Sequence, residues 1–241
     1  MPTKKSVPAS SIPVSDRVKA SLKWLEENGT QRDRDNLTRF AISTDKFFGV
    51  SMTSMKVLVK QLGRDHELAD GLWKTGWYEA RMLATMIDEP AKVTPAQMDR
   101  WCRDFDNWAI CDTACFHLFD RTPHVWKKIQ QWAKRKPEFE KRAAALLASV
   151  ALHDRKAEDE PFVECLPLIE PAATDGRNFV KKGVVWALRG IGGRNSFLRD
   201  MVLDVAQRLA NSTDANSRWI GKTTLRELKS PAAIRRLAAQ R

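Results

Sequence analysis

Five segments of this chain repeat one frame, and that frame leaves little room for any fold but stacked helices. Tyr78-Glu-Ala-Arg81-Met82, Trp108-Ala-Ile-Cys111-Asp112, Phe139-Glu-Lys-Arg142-Ala143, Phe179-Val-Lys-Lys182-Gly183 and Trp219-Ile-Gly-Lys222-Thr223 each open on an aromatic residue. Two variable positions follow, then a basic residue in four of the five, then a residue that is uncharged in four of the five. The starts lie 30 to 40 residues apart, the length of a helix pair in helical-repeat proteins. Apolar residues elsewhere recur at helical spacing, as Met55, Leu58, Val59 and Leu62 do along one stripe. Alternating β-branched runs are absent. The pattern predicts an all-α chain, an α-solenoid of HEAT-like helix pairs with a concave basic face.

Breakers divide the chain into successive helices. SDRVKASLKWLEENG carries cap candidates at Ser15 and Asp16 and closes at Gly29, and TQRDRDNLTRFAI repeats that plan. Further helices are expected over SMTSMKVLVKQLG, HELADGLWKTG, YEARMLATMID, TPAQMDRWCRDF, Phe105–Asp120, PHVWKKIQQWAKR and EFEKRAAALLASVALHD. An acidic helix around Phe162–Ala173, GRNFVKKGVVWALRGIG, SFLRDMVLDVAQRLA and two short C-terminal helices complete the series. Residues 1–13 are polar and rich in Pro and Ser and read as a flexible arm, with 14–241 as a single HEAT-like domain. The arm has no apolar core of a signal peptide, and no run of about 18 apolar residues occurs. A cytoplasmic, monomeric protein with four reduced cysteines is the expectation.

One repeat departs from the frame. In Phe105–Asp120, FDNWAICDTACFHLFD, the basic position holds Cys111 and the next holds Asp112, where the others have Met82, Ala143, Gly183 and Thr223. Trp108 lies four residues before Asp112, hence on the same helical face, and Trp186 lies four after Lys182. Stacked in register, the repeats bring Trp108, Asp112, Arg142, Lys182 and Trp186 onto one surface, with Arg81, Lys181 and Lys222 as further cations. The plain alternative is that Asp112 caps a loop or pairs with an arginine of the neighbouring helix. The tryptophans could equally be core wedges, as Trp24, Trp73, Trp101 and Trp132 read. A formal charge of +11 and a pI near 9.7 favour a polyanionic partner, most often nucleic acid. Cys111, Cys115 and His117 do not share a helical face, so they read as core thiols beside an unrelated histidine, and no metal or other cofactor is expected. Neither a phosphate-binding Gly-rich loop nor a nucleophile elbow is present, and His153-Asp154 joins no triad.

Taken in order, GVSMTSMKVLVKQLG, LWKTGWYEARMLA, FDNWAICD, FEKRAAALLASVALHD and RNFVKKGVVWALRGIG resemble the DNA alkylation repair glycosylases of the AlkD-like type. The resemblance runs from about Phe47 to Leu228. It implies that Asp112 is the catalytic aspartate, that Trp108 and Trp186 face DNA, and that Arg142 binds the DNA backbone. Ala109 stands where that family often has Asp, and Trp24 and Phe40 are the nearest counterparts of an aromatic from its N-terminal helices. The activity implied is that of a monofunctional DNA N-glycosylase acting in base excision repair on duplex DNA. Its substrates would be cationic purines of the 3-methyladenine or 7-methylguanine type. One carboxylate and electron-rich rings suffice for such a reaction, because the alkylated base already leaves readily. The rival expectations are a non-enzymatic helical-repeat protein that binds damaged or branched DNA, and a scaffold for acidic proteins.

Overall fold

Short polar residues at the expected breaks set where the helices start. Ser51, Asp65, Thr94, Asn107, Asn195, Asp214 and Ser230 each accept a hydrogen bond from the backbone N–H three residues on. Such caps satisfy donors that a helix leaves without an internal partner, and each contributes about 1 kcal/mol. The computed structural model describes residues 12–42, 44–149 and 157–239. Among these residues all regular structure is helical: α1 (Val14–Glu27), α2 (Gln31–Arg39), α3 (Met52–Leu62), α4 (His66–Lys74), α5 (Tyr78–Ile87), α6 (Pro95–Arg103), α7 (Trp108–His117), α8 (Val125–Trp132), α9 (Glu138–Leu147), α10 (Glu160–Ile169), α11 (Asn178–Gly192), α12 (Ser196–Ala210), α13 (Ala215–Leu228) and α14 (Pro231–Ala238). The expected focal helix is shorter at both ends. Asn107 opens it, and a 3-10 turn over Phe119–Arg121 replaces its last turn. The acidic segment also breaks, into α10 and a 3-10 turn over Glu170–Thr174 that has Pro171 in its first turn. Most of the arm over residues 1–13, and the His153-Asp154 end of the segment that α9 opens, lie outside the described residues.

The chain divides into two compact units, Met1–Val93 and Thr94–Arg241. The first holds α1 to α5, with α4 against α5 and α1 over both. Leu68, Ala69, Leu72 and Trp73 of α4 and Ala80, Leu83 and Ala84 of α5 form its core. Glu79 is fully buried there and accepts hydrogen bonds from the backbone N–H groups of Phe48, Gly49 and Val50. Gly49 has a φ of +79°, and a Cβ there would also collide with Thr30 O, so only glycine suits the turn that aims these donors at the carboxylate.

The second unit is built in two layers. The odd-numbered helices α7, α9, α11 and α13 pack side by side in sequence order, and α8, α10 and α12 form the layer behind them. This is the packing of HEAT-like helix pairs. Between the layers lie Trp101, Phe119, Trp132, Phe162 and Leu188, all buried, with Phe119 packed against both Trp101 and Trp132. Asp99 of α6 ties that helix to α8 and the segment after it by accepting from Lys128 Nζ, Trp132 Nε1 and Arg135.

Candidate active site

Helix α7 is buried nearly all round, with one stripe left open. Ala109, Ile110, Cys111, Thr113, Ala114 and Cys115 are buried, Trp108, Asp112 and Phe116 are partly exposed, and His117 at the helix end is exposed. The partly exposed three are four residues apart and therefore line one edge of the helix. The cap fixes where the edge begins: Asn107, itself buried, accepts from the Ile110 N–H at 3.0 Å, which sets Trp108 in the first turn.

Arg142 of α9 holds the middle of that stripe. Its Nε and Nη2 donate to the two oxygens of Asp112, both at 2.7 Å, and its Nη1 donates to the Phe179 carbonyl of α11 at 2.8 Å. Such two-pronged pairing is the strongest geometry an arginine and a carboxylate adopt. The Arg142 side chain is 5% exposed and that of Asp112 14%. Burial pushes the Asp112 carboxyl above its usual range, opposed by the bonds and charge of Arg142. Burial likewise works against the Arg142 charge, but the Asp112 carboxylate more than offsets it and holds the guanidinium above its ordinary value. Gly183 of α11 packs directly against this arginine: a Cβ there would stand 3.4 Å from Arg142 Cγ, an ordinary contact.

The repeat frame predicts this register, but not the use made of it. The thiol of Cys111 donates to the Phe139 carbonyl at 3.5 Å, just as Arg142 does to that of Phe179, and the Phe139 and Phe179 rings meet at 5.4 Å. The fourth position of one repeat thus ties to the first carbonyl of the next. Arg142, expected on the DNA backbone, is instead buried with all three guanidinium nitrogens engaged inside the protein. Asp112 does pair with an arginine of a neighbouring helix, and it still keeps an edge toward solvent.

Trp186 of α11 extends the stripe. Its ring lies 5.4 Å from that of Phe116 and carries the Arg189 guanidinium 5.2 Å above it. Trp108, Asp112, Phe116 and Trp186 therefore form one continuous half-open edge across α7 and α11.

A family model described as DNA alkylation repair enzyme matches residues 22–228. The chain belongs to that family. No curated protein matches it in sequence. Among solved structures it is similar to one described as "a new family of proteins related to the HEAT-like repeat DNA glycosylases with affinity for branched DNA structures". That match has a TM-score of 0.73 at 18% identity and covers 91% of this chain and 95% of the other, a likeness of fold.

The remaining expected residues of this family member are spread more widely. Lys182 and Lys222 are exposed, on α11 and α13, and Lys181 holds its Nζ 5.3 Å above the ring of Trp219. Arg81 belongs to the first unit, where its guanidinium lies 5.4 Å over the Trp73 ring. Trp24 is half-buried and Phe40 exposed, also in that unit. Trp73, Trp101 and Trp132 are core residues, as their patterns suggest. The four cysteines are free and buried, and burial pushes the thiols of Cys102 and Cys115 up, and that of Cys165 to about 12. Among the described residues no group of three His, Cys, Asp or Glu side chains is placed to hold a metal ion, and no helix is long and apolar enough to cross a membrane. Sequence reasoning missed Phe116; its spacing of four from Asp112 was the available signal. It offered pairing of Asp112 with an arginine of the neighbouring helix but did not single out Arg142, a contact between residues 30 apart.

Proposed function

We propose that this protein is a monofunctional DNA N-glycosylase that removes cationic alkylated purines from duplex DNA. The observation that carries this reading is the partly open stripe along the mostly buried helix α7, with a carboxylate set between two aromatic rings. Water is the nucleophile. The bond from C1′ of the sugar to the purine breaks, the base leaves with the electron pair and becomes neutral, and oxygen of water bonds to C1′. Asp112 offsets the positive charge that develops on the sugar and accepts the proton that water gives up. The faces of Trp108 and Trp186 attract the cationic nucleotide, each by about 1–2 kcal/mol. Arg142 is a positioning residue: it fixes the plane of the carboxylate before DNA arrives, so that none of this order has to be created during the reaction. Lys182, Lys181 and Lys222 neutralise phosphates along the bound strand. Arg81 is a further candidate for such contacts.

The test is release of 7-methylguanine or 3-methyladenine from methylated duplex, followed by chromatography without added metal or nucleotide. Wild type should release base, and Asp112→Asn should be slower by about 10²–10³-fold, the loss typical of removing one preorganised electrostatic group. Equal release by both would remove Asp112 from the reaction.

A second reading is a non-catalytic protein that binds branched DNA, the affinity described for the structural neighbour. The closure of Asp112 onto Arg142 favours it, since both carboxylate oxygens are already engaged. That reading expects no base release by either protein, and DNA binding by Asp112→Asn at least as tight as by wild type.

A further inference from the structure

A cavity of about 540 Å³ opens between the C-terminal half of α11, the start of α12, the end of α13 and α14. Four arginines line it, Arg189, Arg199, Arg226 and Arg236, against one carboxylate, Glu227. Glu227 is taken up by Arg189, whose Nη1 donates to it at 2.8 Å. Arg199 donates to the Leu228 carbonyl and so braces α12 against α13. Arg226 and Arg236 are exposed. With one guanidinium charge offset out of four, the cavity is strongly positive and suited to an anion. A phosphate alone would not fill it, since volumes of roughly 300–1,000 Å³ hold whole small-molecule ligands. Trp186 forms part of its wall and also touches Phe116 of the open stripe, so one ring belongs to both places.

We infer that this cavity receives an unpaired nucleotide, with its phosphate, from a DNA strand that leaves the duplex beside the Asp112 stripe. Guanidinium forks grip phosphate oxygens in pairs, and a ring at the wall offers a face to the base. Shape adds selectivity. A paired nucleotide is held in its stack and cannot turn into a recess at the side of the duplex, whereas a strand at a fork, flap or end is free to. Phosphate could come from an internal diester or from a 5′ terminus, and the chemistry of the cavity accepts both.

This rests on the reading that the protein binds DNA, but not on its being a glycosylase. The experiment compares wild type with Arg226→Glu/Arg236→Glu on three labelled DNAs: a blunt duplex, a forked duplex with 5′-phosphate on the free arm, and the same fork with 5′-hydroxyl. Wild type is expected to bind the forks more tightly than the blunt duplex. The double variant is expected to lose about tenfold or more on the forks and far less on the blunt duplex, because each lost phosphate contact weakens binding wherever that phosphate is presented. A preference for the 5′-phosphate fork identifies a strand end, and equal binding of the two forks an internal diester; both uphold the cavity. Equal losses on fork and blunt duplex, or no loss on the forks, overturn it. Arg226→Ala/Arg236→Ala, which removes charge without reversing it, should repeat the ranking with smaller losses. Base release from methylated blunt duplex is read on the same proteins. Its absence from wild type sinks the glycosylase and leaves the cavity standing; a wild type that releases base but shows no fork preference does the reverse.

Discussion

Two carboxylates in this protein are taken out of water in different ways. Glu79, in the first unit, is fully buried and receives three backbone N–H groups from Phe48, Gly49 and Val50. Asp112, in the second, keeps a 14% exposed side chain and is held by one other side chain, Arg142. Backbone donors fixed by a turn with one allowed geometry make Glu79 a permanent fastening. An arginine on a neighbouring helix gives Asp112 orientation while leaving an edge of it, and the aromatic rings on either side, open to a ligand. Burial and satisfaction of hydrogen bonds thus do not by themselves set Glu79 apart from Asp112. What remains accessible after the hydrogen bonds are made does.

The sharpest way to break this comparison is to remove the arginine. Arg142→Met should cost about 3–5 kcal/mol in denaturant unfolding, because it strands a mostly buried charge. Asp112→Leu/Arg142→Met should recover most of that stability while base release stays lost. If the double variant is no more stable than the single one, the loss does not come from a stranded Asp112 charge. Glu79→Gln should come next, at about 2 kcal/mol, since an amide NH2 faces backbone donors that the carboxylate had satisfied. Per folded molecule its base release should match wild type, and a specific loss of activity would erase the distinction between the two carboxylates.

A third carboxylate extends the comparison to pH. Burial pushes Asp120, in the 3-10 turn after α7, from an ordinary 3.8 up to about 7. Its folded-state value lies above the unfolded one, so the fold favours the protonated form. That advantage is complete below about pH 4 and is lost as pH rises through about 7. Melting temperatures of wild type should therefore fall across this window relative to those of Asp120→Asn, and parallel curves would show that Asp120 does not titrate in the folded protein.

Much of this arrangement was legible beforehand. The capping residues and the apolar period placed the helices, because both act within a turn or two of chain. The repeated frame gave the register, because equivalent helices pack through equivalent positions: Phe139 meets Phe179, and Cys111 and Arg142 each tie to the next aromatic's carbonyl. The anomaly at Asp112 was visible against that frame. The direction of Arg142 was not. Its column suggested a phosphate track, yet α7 presents to it the one carboxylate at the frame's fifth position, and a guanidinium approaching two acceptors inside the protein turns inward.

The sequence by itself determined an all-helical repeat chain, strongly basic, with one displaced carboxylate beside a tryptophan, since period, charge and local capping are properties of neighbouring residues. Tertiary structure alone decided that Asp112 is clamped by Arg142, that the Phe116 ring meets that of Trp186, and that four arginines from α11 to α14 line one cavity. Those arrangements join different helices, and helical periodicity says which face a residue occupies but not which neighbour covers it.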